Sequence, residues 1–452
     1  MMSFGSDSEI PYLTELGDGL ILRRATSFDG QALAEFNARI HGHEDTNEPD
    51  RRVGTWTLDL VTRSHPTFNS SDFTIVEDTK TGKIVSTLNL ISQTWSYAGI
   101  PFQVGRPELV GTDPDFRNKG LVRAQMEQIH QWSAERGELV QGITGIPYYY
   151  RIFGYEMAMD LGGGRIGYRS LAPKLESEDE PYLIRPAEDS DLRFLQDLYA
   201  QSSQRYLVSC VRDKRIWAYE LSGRDPQNVN FSLIKIIESP EEGPVGYIVH
   251  PPYRWGSMMS VTSFEVRRGV SWASVTPTVI RYLLAIGKEY QTEDGKEKEF
   301  GEFGFWLGRQ HPVYQVIPQK IPRVREPYAW YLRVPDLPAF VRHVSPAIEA
   351  RLADSVMVGH TGELKITFYN SGLLLVFEKG RLKEVEAWKP EPQRYSGDAS
   401  FPGLTFLQLV FGYRSFAELK YAFADCGASE DQAVALLEIL FPKQASRVWP
   451  IS

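Results

Sequence analysis

Cysteine is scarce in this chain of 452 residues: Cys210 and Cys426 lie far apart and outside any Cys-x-x-Cys pair. A disulfide framework is therefore not expected, and a reducing compartment, the cytoplasm, is predicted. Long apolar runs are also missing, since Leu373–Phe377 is among the longest, far short of the roughly 20 residues that span a bilayer. The acidic N-terminus lacks the basic start of a signal peptide.

Basic residues are fewer than acidic residues. Lys and Arg total 49 against 58 Asp and Glu, so the formal net charge is −9. An acidic chain is a poor binder of phosphate backbones, so no nucleic-acid partner is expected, and cationic small molecules are favoured weakly. The apolar fraction of 42% and charged fraction of 24% are ordinary for a folded protein. The length predicts two to four domains, with three as the central estimate.

The chain contains a pattern that suggests an internal repeat. Arg23 and Asp29 are followed 162 positions later by Arg185 and Asp191, each pair within a strand-turn-helix pattern. A second echo places Gly145-Ile146-Pro147 with Tyr150 opposite Gly308 with His311-Pro312 and Tyr314, offset by 163. Such patterns also recur by chance in α/β chains, but two echoes at nearly one offset favour duplication.

Composition suggests three domains, 1–165, 166–335 and 336–452. The polar, turn-rich connection around 162–181 separates the two repeats, and Pro335-Asp336-Leu337-Pro338 marks the second boundary. The last domain predicts a hairpin around Asn370-Ser371-Gly372 and then helical segments, which is typical of a small α+β fold.

The most informative segment is 108–155. Glu108–Thr112 predicts a strand, Asp113-Pro114-Asp115 ends it, and Arg117–Val122 opens a helix that stops at Gly137. Free backbone N–H groups and the positive end of the helix dipole suit a pyrophosphate at such a turn. A plain N-terminal cap with solvated charges is the equal alternative on these grounds alone.

Val110 to Val122 resembles the acetyl-CoA motif of the GNAT acetyltransferase superfamily, Q/R-x-x-G-x-G/A, although Val122 stands where a small residue is usual. With Tyr150–Tyr155, the segment is most similar to the Eis-type (enhanced intracellular survival) branch. That resemblance implies an α/β (α+β) fold: two tandem GNAT-like domains with mixed central sheets and a C-terminal sterol-carrier-protein-like domain. It implies an N-acetyltransferase with acetyl-CoA as co-substrate and no metal.

The resemblance also assigns residues by position. Tyr150 matches the tyrosine that protonates the departing thiolate, although an aromatic packing role is its ordinary alternative. The residues expected to contact acetyl-CoA are Val110, Gly111, Thr112, Arg117, Asn118, Lys119, Gly120, Leu121 and Val122.

A base must deprotonate the acceptor amine, and two candidates stand. The resemblance implies the chain's own C-terminal carboxylate, on Ser452, at the end of an apolar tail that suits docking but equally simple packing. Glu108, on the strand leading into the motif, is the rival, with an ordinary salt-bridged glutamate as its alternative reading.

Two other segments have less direct roles. Phe264–Trp272 takes the motif's place in the second repeat without its spacing, which predicts a degenerate domain and one acetyl-CoA per chain. The stretch from His41 to Asp50 lacks metal-site spacing and predicts a loop, whose acids Glu44, Asp45, Glu48 and Asp50 would attract an amine.

The acceptor is expected to be a primary amine on a small molecule or peptide: aminoglycoside-like, polyamine or lysine, acetylated directly in a ternary complex. Eis-like proteins are often oligomeric, so a homo-oligomer is possible. The alternative is a non-catalytic lipid or small-molecule binding protein that uses the C-terminal domain. Its cavity would be lined by Phe401, Phe406, Leu407, Leu409, Val410 and Phe411, residues that also suit a plain core.

Overall fold

The structure, a computed structural model, describes residues 12–42, 48–175, 179–391 and 397–448. It is a mixed α/β fold. The first part of the chain forms β1 (Tyr12–Gly17), β2 (Leu20–Arg24), α1 (Gly30–Ile40), α2 (Arg51–Thr62), β3 (Phe73–Asp78), β4 (Lys83–Tyr97), β5 (Ile100–Thr112), α3 (Leu121–Glu135), β6 (Val140–Ile143) and β7 (Glu156–Leu161).

The middle of the chain forms a second set of alternating strands and helices. These are β8 (Gly164–Tyr168), β9 (Leu183–Pro186), α4 (Leu192–Ser203), β10 (Val208–Cys210), α5 (Lys214–Ala218), β11 (Leu233–Ser239), β12 (Gly243–His250), β13 (Met258–Val261), β14 (Ser263–Val266), α6 (Trp272–Glu289), β15 (Glu302–Phe305), α7 (Val313–Val316), β16 (Arg323–Arg325) and β17 (Tyr328–Arg333).

The last part of the chain is helical at both ends with a sheet between them. Its elements are α8 (Leu337–His343), α9 (Ser345–Ala353), β18 (Gly362–Thr367), β19 (Gly372–Glu378), β20 (Arg381–Trp388), β21 (Ala399–Ser400), α10 (Phe406–Val410), α11 (Phe416–Ala422), β22 (Gly427–Ala428) and α12 (Asp431–Leu440). The expected hairpin is present, because β18 and β19 pair antiparallel on either side of the 368–371 turn.

The two repeats share a local arrangement. The guanidinium of Arg23 pairs with the Asp29 carboxylate at 2.7 Å, and Arg185 pairs with Asp191 at the same distance. Each aspartate also accepts a backbone N–H from the residue three positions before it. The strand run β2-β3-β4-β5 is antiparallel, as is β9-β11-β12-β14. The duplication stays a prediction, and these matching contacts support it.

The sheets cross the predicted domain boundaries. The largest sheet has the order β1-β2-β3-β4-β5-β6-β17-β7, so β17, which follows the second repeat, lies between two strands of the first. Conversely, β8 follows the first repeat and joins the sheet β13-β15-β8-β16 of the second. In addition, β10 pairs with the end of β4. The domain boundaries at 165 and 335 remain predictions. The strands β8 and β17 each lie in the sheet of the other repeat, so the sheets do not divide at these positions.

The C-terminal part packs on one face of the largest sheet. One hydrophobic cluster joins Trp95 and Trp330 of that sheet to the C-terminal part, and the Tyr97 hydroxyl donates to the Val410 carbonyl at 2.8 Å. The six residues considered above as a cavity lining are 0–4% exposed and all belong to this cluster. They are therefore packed core residues, and nothing in their arrangement favours the lipid-binding alternative.

Candidate active site in the cleft between strands 5 and 6

A wedge opens in the largest sheet. Strands β5 and β6 pair in parallel only through Val104–Val140 and Gly105–Gln141, after which β6 pairs with β17 alone. A cleft of about 980 Å³ lies at this opening. Its walls include residues 107–112 of β5, residues 143–146 beyond β6 and the N-terminus of α3.

Residues on both faces of the sheet line the cleft. On one face, Val110 packs against the hydrophobic cluster that contains Met126 and Ile129 of α3. On the other, a Cβ added at Gly111 would lie 2.8 Å from the Ile40 Cγ2 atom of α1, which leaves room for hydrogen only. Residues Ile40, His41, Val53 and Trp56 of the α1–α2 side complete the lining. Residues from both faces of the sheet therefore line one cleft.

A bulge shapes the β5 wall. Leu109 adopts a left-handed φ of 52°, and the register between β4 and β5 shifts there. The Thr87 hydroxyl lies 2.9 Å from Asn37 Oδ1 and 3.1 Å from the Leu109 carbonyl oxygen, while the Asn37 amide donates to Thr57 Oγ1 at 3.3 Å. Because Asn37, Thr57 and Thr87 are wholly buried, this chain ties α1 and α2 to the bulge.

The turn before α3 forms an anion cradle. Asn118 has φ 63° and Gly120 has φ 76°, and α3 begins at Leu121 without a side-chain cap, so its first N–H groups stay available. A Cβ added at Gly120 would meet no atom within 4 Å, so the space over this turn is open. Arg117 and Arg123 line the cleft and form no ion pair with another described residue. These features fit the pyrophosphate of acetyl-CoA.

The structure brings most of the predicted contact residues together. The cleft is lined by Glu108, Val110, Gly111, Thr112, Arg117, Asn118, Gly120, Leu121, Val122 and Tyr150. Lys119 lies beside it, with its ammonium 4.9 Å from the ring centroid of Phe116, itself a lining residue. Their roles stay predictions, since their positions alone do not establish what each side chain does.

Glu108 was considered as a base or as an ordinary salt-bridged glutamate, and the structure gives it features of both. Its side chain lines the cleft and is 13% exposed, and its carboxylate is paired with the guanidinium of Arg106, which is wholly buried. Burial raises the pKa of Glu108 to about 7, against the opposing effect of Arg106. A carboxyl that titrates near neutral pH suits a general base.

Tyr150 lies in a 3₁₀ turn, Tyr149–Phe153, and is 3% exposed. Its ring packs edge-on against Tyr149 at 5.3 Å and against Tyr155 at 6.3 Å, so the aromatic cluster is real. It also lines the cleft, and a Cβ added at Gly145 would lie 3.7 Å from its hydroxyl oxygen. Burial and then the Glu108 carboxylate raise the pKa of Tyr150, which keeps the phenol protonated and able to donate a proton.

The tail that bears Ser452 lies outside the described residues, which end at Val448. The segment before it is anchored as a short extra strand beside β10. The Leu207 N–H donates to the Ala445 carbonyl and the Arg447 N–H to the Val208 carbonyl, both at 2.8 Å. The Arg447 guanidinium donates to the Thr262 carbonyl of the second repeat.

The acidic loop is only partly described, because His43, Glu44 and Asp45 fall among the residues left out. Asp50 has a structural task that the sequence analysis missed: its carboxylate caps α2, accepting N–H bonds from Arg52 at 2.9 Å and Val53 at 3.2 Å. Within the described ranges, no cluster of metal-ligating side chains is found. Nor does any described helix combine the length and apolarity needed to cross a bilayer.

The second repeat differs at the equivalent place. The Trp272 ring, at the start of α6, packs against Phe264 at 4.9 Å and His311 at 5.2 Å. Arg205 makes two 2.7 Å hydrogen bonds to the Glu265 carboxylate beside them. These side chains pack together around the segment that replaces the motif, which supports the prediction of a degenerate domain.

The sequence analysis did not identify several residues at or next to the cleft. Arg106, buried next to the cleft, lies two positions before Glu108 on the same strand, so its place in the sequence could have indicated it. No sequence signal pointed to Ile40, Val53 and Trp56, because only the packing of α1 and α2 on the sheet brings them to the cleft.

Comparison with known proteins agrees with this geometry. Residues 22–158 match the model of the acetyltransferase (GNAT) domain family. A comparison with curated proteins finds no match. Among solved structures, a GCN5-related N-acetyltransferase from Anabaena variabilis shares 15% identity and a TM-score of 0.63, over 95% of this chain and 99% of its own.

Two further structures share the fold over nearly the full length. A probable N-acyltransferase of unknown function from Enterococcus faecalis V583 has 12% identity and a TM-score of 0.63, with 94% of this chain and 97% of its own covered. Eis1 from Mycobacterium abscessus has 14% identity and a TM-score of 0.58, with 96% and 99% covered. At these identities the likeness concerns the fold. The chain therefore contains an acetyltransferase (GNAT) domain over residues 22–158, and it shares its fold with these solved structures over nearly its full length.

Proposed function

We propose that the protein transfers the acetyl group of acetyl-CoA directly to a primary amine, bound at the same time in the cleft between β5 and β6. The observation that carries the proposal is one cleft, lined by residues from both faces of the sheet, that presents an anion cradle, a carboxyl near neutral pKa and a protonated phenol. The acceptor classes remain an aminoglycoside-like molecule, a polyamine or a lysine side chain.

The cradle at the start of α3 holds the pyrophosphate, and Arg117 and Arg123 add positive charge beside it. The wall of Val110, Gly111 and Thr112 runs from there toward Glu108 and guides the pantetheine arm. The acceptor enters from the α1–α2 side, past Trp56. This arrangement brings the amine and the thioester together without a covalent intermediate on the protein.

Glu108 accepts a proton from the acceptor ammonium, which frees the nitrogen lone pair to attack the thioester carbon. The carbon–sulfur bond then breaks, the sulfur takes the phenolic proton of Tyr150, and CoA leaves as the thiol. The nitrogen, which then carries two protons and a positive charge, loses one of them to the tyrosinate; this step gives the neutral amide and restores the Tyr150 phenol. The Ser452 carboxylate is the rival base, as the resemblance implies.

A thiol-release assay with acetyl-CoA and a panel of amines tests the proposal. We expect amine-dependent turnover in the wild type and a loss of about 10²–10⁴-fold in kcat for Tyr150→Phe, the usual contribution of a general acid. Tyr149→Phe is the matched control, because its ring lies in the same cluster and should retain activity.

The base is assigned by two further variants, Glu108→Gln and a chain that lacks Ile451 and Ser452. Loss of turnover in Glu108→Gln alone supports Glu108, and loss in the truncated chain alone transfers the role to the C-terminal carboxylate. A wild type that neither binds acetyl-CoA nor releases thiol refutes the proposed function.

A further inference from the structure

Arg106 is a charged side chain enclosed inside the protein. It is wholly buried on β5, and its guanidinium lies 4.7 Å from the ring centroid of Trp330, also wholly buried. One guanidinium nitrogen pairs with the Glu108 carboxylate, while Nε and Nη1 have no hydrogen-bond partner among the described residues. A guanidinium cannot give up its charge in a protein, so this cation depends on a single carboxylate.

A second buried polar group lies beside the pair. Asn89 on β4 is directly opposite Glu108 in the ladder and is wholly buried. Neither Oδ1 nor Nδ2 of its amide has a partner within the described part of the chain. Buried polar atoms without partners are costly and rare in folded proteins, and a catalytic role is one explanation for them. Four such atoms, on Asn89 and Arg106, therefore lie behind the one carboxyl of the β5 wall.

Burial and Arg106 act on Glu108 in opposite directions. Burial favours the neutral acid, and the guanidinium favours the carboxylate, so protonation of Glu108 would leave a buried cation without compensation. Removal of the guanidinium leaves burial unopposed, and the carboxyl then holds its proton to higher pH.

We propose that Arg106 is a positioning residue for acetyl transfer: stacked on Trp330, it holds the Glu108 carboxylate at the cleft wall and keeps it ionised to receive the proton of the acceptor amine. The ion pair therefore serves the base directly, because Glu108 belongs to both. This inference rests on the proposed function and on Glu108 as the base. It also gives β17 a role in the site, since Trp330 reaches Arg106 only because the repeats exchange strands.

The test compares the pH dependence of kcat/KM for one amine in the wild type, Arg106→Met and Arg106→Lys. Methionine keeps much of the length and the apolar packing, and lysine keeps the charge. The ratio of variant to wild type at each pH cancels the titration of the acceptor. We expect activity of the wild type to rise through about pH 7 as Glu108 ionises.

Arg106→Met should move this rise to higher pH. A shift of one pKa unit lowers activity at pH 7 about fivefold and leaves the rate at the alkaline plateau nearly unchanged. Arg106→Lys should shift the rise less, because a cation remains. If both variants lose activity by the same factor at every pH, Arg106 is only structural and the inference is overturned.

Arg212→Met is the matched control. Arg212 is also buried, pairs with Glu220 and stacks on the Trp217 ring at 3.6 Å, but it does not line the active-site cleft. This variant should lose stability without a shift in the pH profile. Acetyl-CoA affinity, measured by calorimetry, should be unchanged in Arg106→Lys, which shows that its cleft is folded.

The outcomes separate the inference from the proposed function. Absence of turnover in the wild type refutes the function. If Glu108→Gln turns over and its kcat/KM still rises near pH 7, Glu108 is not the base, and Arg106 then has no positioning role. If kcat/KM of the wild type rises through about pH 7 and neither Arg106→Met nor Arg106→Lys moves this rise, the inference about Arg106 is overturned and the proposed function stands.

Discussion

Replacement of Gly120 by alanine separates the anion cradle from a plain helix cap. Gly120 has φ 76°, so an alanine there pays roughly 1–2 kcal/mol for the left-handed conformation. Its Cβ would meet no protein atom within 4 Å, so no clash adds to this cost. The protein should therefore fold with a modest loss of stability, and the methyl group should occupy space needed by the pyrophosphate.

The expected effect on binding is larger than the effect on folding. A hydrogen bond to a charged group contributes about 1.5–3 kcal/mol. Loss of one such bond corresponds to a rise of about 10–100-fold in the Kd for acetyl-CoA, at about 1.4 kcal/mol for each factor of ten. Isothermal titration calorimetry measures this change directly, and chemical denaturation measures the accompanying loss of stability.

Gly137→Ala provides the matched control at the other end of the same helix. Gly137 has φ 69°, its Cβ would also meet nothing within 4 Å, and it does not line the cleft. The two variants should lose similar stability, but only Gly120→Ala should lose acetyl-CoA affinity. Equal affinities in the two variants would refute the cradle and leave the turn as an ordinary helix start.

Three further outcomes follow from the fold. Asp29→Asn should cost about 1–3 kcal/mol, since it leaves buried Arg23 with Glu77 as its remaining carboxylate partner. The ion pair with Arg23 and the N–H of Thr26 lower the pKa of Asp29 despite burial, so its contribution holds above about pH 4 and is lost below it in acid unfolding. A fragment of residues 12–163 should unfold without cooperativity by circular dichroism, because it lacks β17. Phe406→Ala should destabilise the chain by about 3–5 kcal/mol in denaturant titration, with no change in lipid content.

The sequence predicts the cleft well where its signals are local. The strand, turn and helix of 108–137 follow from an apolar run, a Pro-containing break, Gly120 and Gly137, and the structure has β5 and α3 at these places. Helix α3 buries Met126, Ile129 and Ser133, as their spacing indicates, whereas Val122 is half-buried and faces the cleft.

Features that depend on the pairing of strands far apart in the sequence could not be predicted. The aromatic run at 328–331 precedes a predicted boundary, but nothing in it shows that it forms a strand inserted between β6 and β7. The stacking of Trp330 on Arg106 and the approach of Trp56 to the cleft have the same origin. Both arise from contacts between segments far apart in the chain, which no local pattern encodes.

The central claim is that the first cleft binds acetyl-CoA and the second is closed. Calorimetric titration of the full chain with acetyl-CoA tests it most directly. The account predicts one equivalent per chain, bound by the wild type and by Gly137→Ala and weakened in Gly120→Ala. No binding would contradict the acetyltransferase site itself, and two equivalents would contradict the closed second cleft.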